Sequence, residues 1–532
     1  MRKRAEGGVI LLAVLFMLLF GILALNYLQL SDRHKYVDAA AERSLLTINA
    51  GDSQGTVFDR NFIPLTNTDT EIIASVVPSA VSLDELLKYT GDKEQVREEY
   101  KEGRPFAVRC RVKGSDSAGL TFFEVPVHNK GKTLAPHVVG YLSEEKGASG
   151  IEYAYNDLLR GGNIENSVTY NTDGFGNVLI GSEKSVIRSN KQNTGVVTTI
   201  DSRIQRICEE AGKGIDKGCI VVTDVDTGDI LALASFPDFS ADNIEKALND
   251  ERSPLINRAL YSYSVGSIFK LVTACESMNE GFEGYMYDCK GDIDISGQLF
   301  RCHKYDGHAV QDMTQAMTNS CNTYFISLSQ YLDVPSFRSC AFDLGFGREI
   351  HLCAGMTASA GVLPSVDELL IPAELANFSF GQGKLTATPL QVNAMTAAIA
   401  NGGELVMLDI VRGITVDGKT VGNEKLPRRS RVMSEDTAKE LRKMMIAAVY
   451  KNDNSKARPR YIRAGAKTST AQTGRFSNNG EELCNAWITG FFPSSSPTYA
   501  VTVLVEDGGY GNDAAAPVFA DIVDGIIKKA AS

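Results

Sequence analysis

Nineteen consecutive positions, Gly7 to Leu25 (GGVILLAVLFMLLFGILAL), carry no charged or strongly polar side chain. A hydrocarbon core of about 30 Å takes about 20 helical residues at about 1.5 Å each, and Asn26 to Leu30 complete that length at the interface. Arg2, Lys3 and Arg4 precede the run and only Glu6 opposes them. Positive charge stays on the cytoplasmic side, so the pattern predicts an inside N-terminus and an outside chain after about Leu30. The run is longer than a signal-peptide core and no A-x-A site follows, which favours a retained single-pass anchor over a cleaved leader.

Beyond it, DRHKYVDAAAERSL reads as a charged continuation of the helix. Short strand-like runs follow (GTVFDR, EIIASVVP, PFAVRCRV, LTFFEVPVH), broken by Gly, Pro and Asn, and predict a β-rich or α+β module. From Gly195 the pattern changes to a strand (GVVTTID), a helix (SRIQRICEEAGKGI) and a hairpin around Asp226-Thr227-Gly228 (GCIVVTDVDTGDILALAS). Helical spacing dominates from Val265 to about Ala400; strands return in AWITGFFP and TYAVTVLVED, and VFADIVDGIIKKA closes as an amphipathic helix. The expectation is an α+β chain: a tail at 1–6, an anchor at 7–30, a pedestal at 31–190, and at 191–532 a domain whose antiparallel sheet joins its two ends around a helical subdomain.

Composition narrows the function classes. The 532 residues carry a net charge of -11, the wrong sign for a nucleic-acid binder. Ten cysteines in an exported chain of this length make no dense disulfide framework, and Cys208, Cys219, Cys275, Cys340 and Cys353 read as buried apolar residues.

Three short motifs carry the chemistry. Ser267 and Lys270 stand three residues apart in YSVGSIFK, on one face if Ser267 opens a helix. A serine hydroxyl needs a base to become a nucleophile, and a lysine serves only if burial and neighbouring charge lower its pKa. Backbone N–H groups at the helix start suit a developing oxyanion. Ser320-Cys321-Asn322 and Lys467-Thr468-Ser469-Thr470 follow, the latter on a predicted strand. Each has a bland reading alone, a helix cap or an exposed strand lysine. S-x-x-K, S-x-N and K-T-x in this order form the motif set of penicillin-binding proteins and class A β-lactamases.

On these residues the chain resembles a class B penicillin-binding protein of the smaller-pedestal type, over nearly its whole length. GTVFDRNFIPL (Gly55 to Leu65) is similar to the family's R-G-x-I-x-D-R-x-G segment, and HVVGY (His137 to Tyr141) and GIEYAYNDLLRG (Gly150 to Gly161) to its next block. DVDTGDILALASFPDF, FGQGKLTATPLQ and AWITGFFP match further landmarks. The resemblance implies a dimerisation-like pedestal and a penicillin-binding, β-lactamase-like transpeptidase domain that crosslinks peptidoglycan and is acylated by β-lactams. Ser267 is then the nucleophile on the penultimate D-Ala carbonyl and Lys270 its base. Ser320 relays the proton, and Asn322 holds Lys270 and the substrate amide. Lys467 and Thr468 bind the terminal carboxylate, and the Ser267 and Thr470 N–H groups form the oxyanion hole. No cofactor is needed for acyl transfer. The implied partners are stem peptides, β-lactams, the membrane and a polytopic glycosyltransferase.

Three positions depart from the family pattern. Ser469 replaces the usual Gly and adds a side chain where the strand approaches the acyl group, predicting reduced or altered activity. Gln54 stands where Arg is usual, and Phe62 where Gly is frequent. The alternatives left open are a β-lactamase-type hydrolase, whose deacylating carboxylate cannot be placed in the sequence, and a weakly catalytic or non-catalytic scaffold of a division or sporulation complex.

Cys289, Cys302, His303 and His308 lie within twenty residues and offer four sulfur and nitrogen ligands for a structural zinc. Asp288 and Asp306 are substitute ligands. A Cys289–Cys302 disulfide and unrelated buried thiols are the alternatives; some clostridial members of the family look similar here and bind zinc.

Overall fold

In the computed structural model, residues 2–128, 131, 133–144, 146–161, 164–188, 194–416, 419–421, 427–477 and 479–530 are described. The apolar run and its charged continuation form one helix, α1 (Arg2–Arg43). Within it Gly7–Ser31, with mean hydropathy 3.0, is long and apolar enough to cross a membrane.

The chain divides into two compact units, one of residues 1–53, 69–127 and 163–190, the other of 54–68, 128–162 and 191–532. The first holds two three-stranded antiparallel sheets. Asp69–Val76 runs between Phe106–Cys110 and Leu120–Val127, and Ile164–Asn171 runs between Leu45–Ser53 and Ser185–Arg188. The two-residue period of a strand sends Phe122 to a core with Val76 and Leu86, and its neighbour Phe123 to another with Ile48 and Val168.

In the second unit, Thr56–Phe58 pairs in parallel with Gly195–Thr198, which pairs in turn with Val411–Val416. The division therefore does not follow a single linear boundary near 190. Residues 54–68 group with 191–532 through this parallel pairing, which can join strands anywhere along the chain and which local hydrophobic pattern does not register, and Val138, Ile151 and Leu159 of 128–162 share a core with Val57 and Val196. Phe62, at the family's glycine position, adopts φ 61°, the left-handed region where a side chain is strained. Asp59 holds that turn, its Oδ1 accepting from the Asn61 and Ile63 N–H groups at 2.7 and 2.8 Å.

The centre of this unit is a five-stranded antiparallel sheet. Helix α2 (Ser202–Ala211) is capped by Asp201, whose carboxylate accepts from the Arg203 and Ile204 N–H groups. Next come β1 (Gly218–Asp224) and β2 (Ile230–Phe236), then the helices α3 (Lys270–Asn279), α4 (Asn322–Ser329), α5 (Pro389–Ala400) and α6 (Glu435–Tyr450). The chain returns in β3 (Gly465–Phe476), β4 (Glu482–Phe492) and β5 (Tyr499–Val505) and ends in α7 (Gly511–Ala530). The strand order is β2-β1-β5-β4-β3, so β1 and β5 join the two ends of the domain, in the register Val221↔Thr502.

Alternation gives the sheet two apolar faces: Ile220, Val222, Ile488 and Val503 pack on the side of α2 and α7, while Cys219, Val221, Trp487 and Leu504 join the helical core. Helix α5 is buried on all sides, which explains why no amphipathic stripe marks it. Its Asn393 accepts from the Thr223 hydroxyl at 2.6 Å and donates to Val221 O, so the polar side chain is satisfied against β1.

Candidate active site

The Gly266–Phe269 segment is a single 3-10 turn that runs directly into α3, so Ser267 sits half-buried at the mouth of the helix and Lys270 is its first residue. Phe269 anchors the turn from below, its ring 4.7 Å from Phe378 and 5.2 Å from Phe346. The turn begins at Gly266, with φ 61°, a left-handed conformation that a glycine adopts without steric cost.

Lys270 is fully buried, and three oxygens meet its amine: Ser320 O at 2.6 Å, Asn322 Oδ1 at 2.7 Å and Ser320 Oγ at 3.3 Å. Burial is the leading influence on this amine and pushes its pKa down to about 8, close enough to neutrality for a base. Ser320 reaches it through a left-handed residue, φ 52°, between the helix Met313–Thr318 and α4. This conformation turns both its carbonyl and its hydroxyl toward Lys270.

From the other side β3, the edge strand of the sheet, brings Lys467, whose amine lies 3.0 Å from Ser320 Oγ and 2.9 Å from Thr468 O. Lys467 is 2% exposed, and burial first, then the charge of Lys270, holds its pKa well below the ordinary lysine value. One hydroxyl thus bridges the amines of the first and third motifs. Lys270, Ser320, Asn322 and Lys467 meet through these hydrogen bonds, Ser267 stands in the turn that leads into α3, and Thr468 and Thr470 are half-buried further along β3. The Thr470 hydroxyl accepts from Gly511 N at 3.1 Å.

Ser469 meets the nucleophile's turn from β3. Its side chain is buried and its hydroxyl donates to Val265 O at 2.8 Å, toward the turn that precedes the nucleophile. Its strand partner Trp487 donates from Nε1 to Ser264 O at 3.1 Å.

The sulfur and nitrogen cluster is real but differently composed. Ligand atoms of Cys289, Cys302, His308 and Cys321 all lie within 4.8 Å of one another. His303 is exposed, with Nδ1 3.9 Å from Cys302 Sγ, and Cys321 takes its place. Asp288 pairs with Lys290, and Asp306 is exposed. Tetrahedral zinc, with Zn–S of about 2.3 Å and Zn–N of about 2.05 Å, spaces its ligands about 3.8 Å (S···S) and about 3.6 Å (S···N) apart. Here Cys302 Sγ lies 3.8 Å from Cys321 Sγ, and His308 Nδ1 lies 3.6 Å from both Cys289 Sγ and Cys302 Sγ. The donor set fits the ion. Hydrogen bonding with Cys321 holds the Cys302 thiol below its usual pKa, and burial lowers that of His308 and so favours the neutral imidazole a metal needs. No disulfide joins these residues; all ten cysteines are free thiols. Cys321 was hidden in the sequence because it occupies the spacer position of the S-x-N motif; its signal is the nearby pair Cys289 and Cys302, which lacked a third sulfur.

Residues 218–524 match the sequence family described as Penicillin binding protein transpeptidase domain, which is more than half of the chain. The chain belongs to this penicillin-binding protein family. It is 27% identical over 559 residues to stage V sporulation protein D of Bacillus subtilis, covering 96% of this chain and 84% of that protein. Peptidoglycan D,D-transpeptidase MrdA of Acinetobacter baumannii is 27% identical over 413 residues, 70% of this chain and 60% of that protein. A solved structure of penicillin-binding protein A from M. tuberculosis, a ceftriaxone acyl-enzyme complex, shares the fold with a TM-score of 0.63 at 23% identity, covering 76% of this chain and 93% of that one.

Proposed function

We propose that this penicillin-binding protein is a membrane-anchored D,D-transpeptidase that crosslinks peptidoglycan stem peptides through an acyl-enzyme on Ser267. The observation that carries the reading is the meeting of the Lys270 and Lys467 amines on Ser320 Oγ, three motif residues from three distant parts of the chain. Ser267 Oγ attacks the penultimate D-Ala carbonyl while Lys270 takes its proton. The proton passes through Ser320 to the departing amine of the terminal D-Ala, and an amine of a second stem peptide then takes the acyl group and frees Ser267. Asn322 orients Lys270 and the substrate amide, and Lys467 and Thr468 bind the terminal carboxylate. The N–H groups of Ser267 and Thr470 receive the oxyanion. A β-lactam acylates the same serine.

Intact-mass measurement after incubation with a β-lactam tests this. Wild type gains the mass of one drug molecule and keeps it, and Ser267→Ala gains none. Rapid loss of the adduct points to a hydrolase, and no adduct on wild type overturns the reading.

The charge pattern around Gly7–Ser31 supports a cytoplasmic N-terminus with the chain after that helix outside the membrane. A polytopic glycosyltransferase of the wall machinery is the partner that the family resemblance implies. The cluster of Cys289, Cys302, His308 and Cys321 holds a structural zinc ion in this reading. Because Cys321 lies between Ser320 and Asn322, that site fixes the loop presenting both to Lys270. Metal analysis of the purified chain shows about one zinc per molecule, lost in Cys302→Ser; no metal in wild type removes the assignment.

A further inference from the structure

The last backbone groups before the nucleophile are tied to three different elements. Ser264 O accepts from Trp487 Nε1 at 3.1 Å, Val265 O accepts from Ser469 Oγ at 2.8 Å, and Gly266 N donates to Gly381 O at 2.8 Å. Two of these three ties come from one cross-strand pair, Ser469 on β3 and Trp487 on β4. Glycines make room for the arrangement. A Cβ on Gly266 would lie 2.4 Å from Ser469 Oγ, and a Cβ on Gly381 would lie 2.2 Å from Gly266 O. Val265 and Ser469 are both buried, so the Val265 carbonyl has exchanged water for this hydroxyl.

We propose that Ser469 is a positioning residue: its hydroxyl holds the Val265–Gly266 turn against the edge strand and thereby sets where Ser267 stands. The inference rests on the transpeptidase reading and deepens it. It changes the meaning of serine at the third position of the K-T-x motif. The side chain takes up a carbonyl of the nucleophile's own turn. The third motif then has two tasks on alternate positions of one strand face, since Lys467 reaches Ser320 and Ser469 reaches Val265.

Removing the hydroxyl leaves a buried acceptor unpaired and frees the turn, an effect of about tenfold on a step that depends on its position. The test uses the full chain in detergent and labelled penicillin, with the limiting acylation rate separated from the half-saturating concentration. In Ser469→Ala the limiting rate falls about tenfold while half-saturation stays within about twofold, because the carboxylate grip of Lys467 and Thr468 is untouched. Ser469→Thr, which keeps the hydroxyl, restores most of the rate. Amide hydrogen exchange over residues 261–270 provides a readout that needs no activity, and it speeds up in Ser469→Ala and not in Ser469→Thr.

An unchanged limiting rate with unchanged exchange overturns the proposal even if the melting temperature drops, since the hydroxyl is then structural only. Faster acylation by Ser469→Gly overturns it too, because the side chain is then an obstruction. Should wild type form no Ser267 adduct, the enzymatic reading falls by itself, and the exchange comparison still decides whether Ser469 holds the turn.

Discussion

The two flanks of Ser320 are built on different principles. On one side, Lys467 and Ser469 stand on β3, whose register against β4 is set by a ladder of backbone hydrogen bonds in a five-stranded sheet. On the other, Ser320 and Cys321 form the short link into α4, which Asn322 opens, and beside its backbone bonds to Met317 O and Ala316 O this link carries a side-chain cluster of three thiols and an imidazole. A backbone ladder is indifferent to chelators and oxidants, whereas a sulfur cluster responds to both. One wall of the pocket is therefore fixed by topology, and the other is in part conditional on the state of four side chains.

The largest expected effect comes from the residue on which both flanks act. Lys270→Ala removes the proposed base and lowers the acylation rate by about 10²–10⁴-fold, measured with labelled penicillin. Full activity in that variant would break the scheme that gives both flanks a purpose.

Next in size is the conditional wall. With the proposed zinc in place, a strong chelator, or Cys321→Ser, lowers acylation by about 10–100-fold and raises amide exchange over residues 287–323, while β3 stays protected. Equal loosening of both regions would erase the distinction between them. A pH series is smaller and graded. Burial depresses the Lys270 pKa to about 8, so the neutral amine, and with it the acylation rate, rises about tenfold per pH unit below that value and levels off above it. A flat profile from pH 6 to 9 would mean that Lys270 is not the titrating base. The smallest change tests the topological wall: Trp487→Phe forfeits the bond to Ser264 O, costing about 1 kcal/mol in denaturant unfolding.

Much of this was legible in the chain. The anchor follows from an uninterrupted apolar run, and the sheet joining both ends follows from alternating strands at 218–236 and 482–505. The three motifs could be placed because S-x-x-K, S-x-N and K-T-x constrain residue type and order together. What escaped depended on contacts between distant positions. Cys321 read as a spacer until folding brought it 3.8 Å from Cys302 Sγ, while His303, adjacent in sequence to a true member of the cluster, faces solvent. Ser469 read as an intrusion because a sequence names a side chain without its direction, and the period of two turns this one onto Val265. The grouping of Thr56–Phe58 with Gly195–Thr198 escaped for a similar reason: parallel pairing leaves no mark in the intervening chain.

That last pairing has a practical side. The chain passes from one unit to the other at 53/54, 68/69, 127/128, 162/163 and 190/191, so the catalytic unit is not a contiguous piece of gene. A truncation starting at 191 would strip Gly195–Thr198, buried along its whole length, of its parallel neighbour. The raw edge left behind is a template for other strands, and such a fragment should clump where the whole protein stays dispersed.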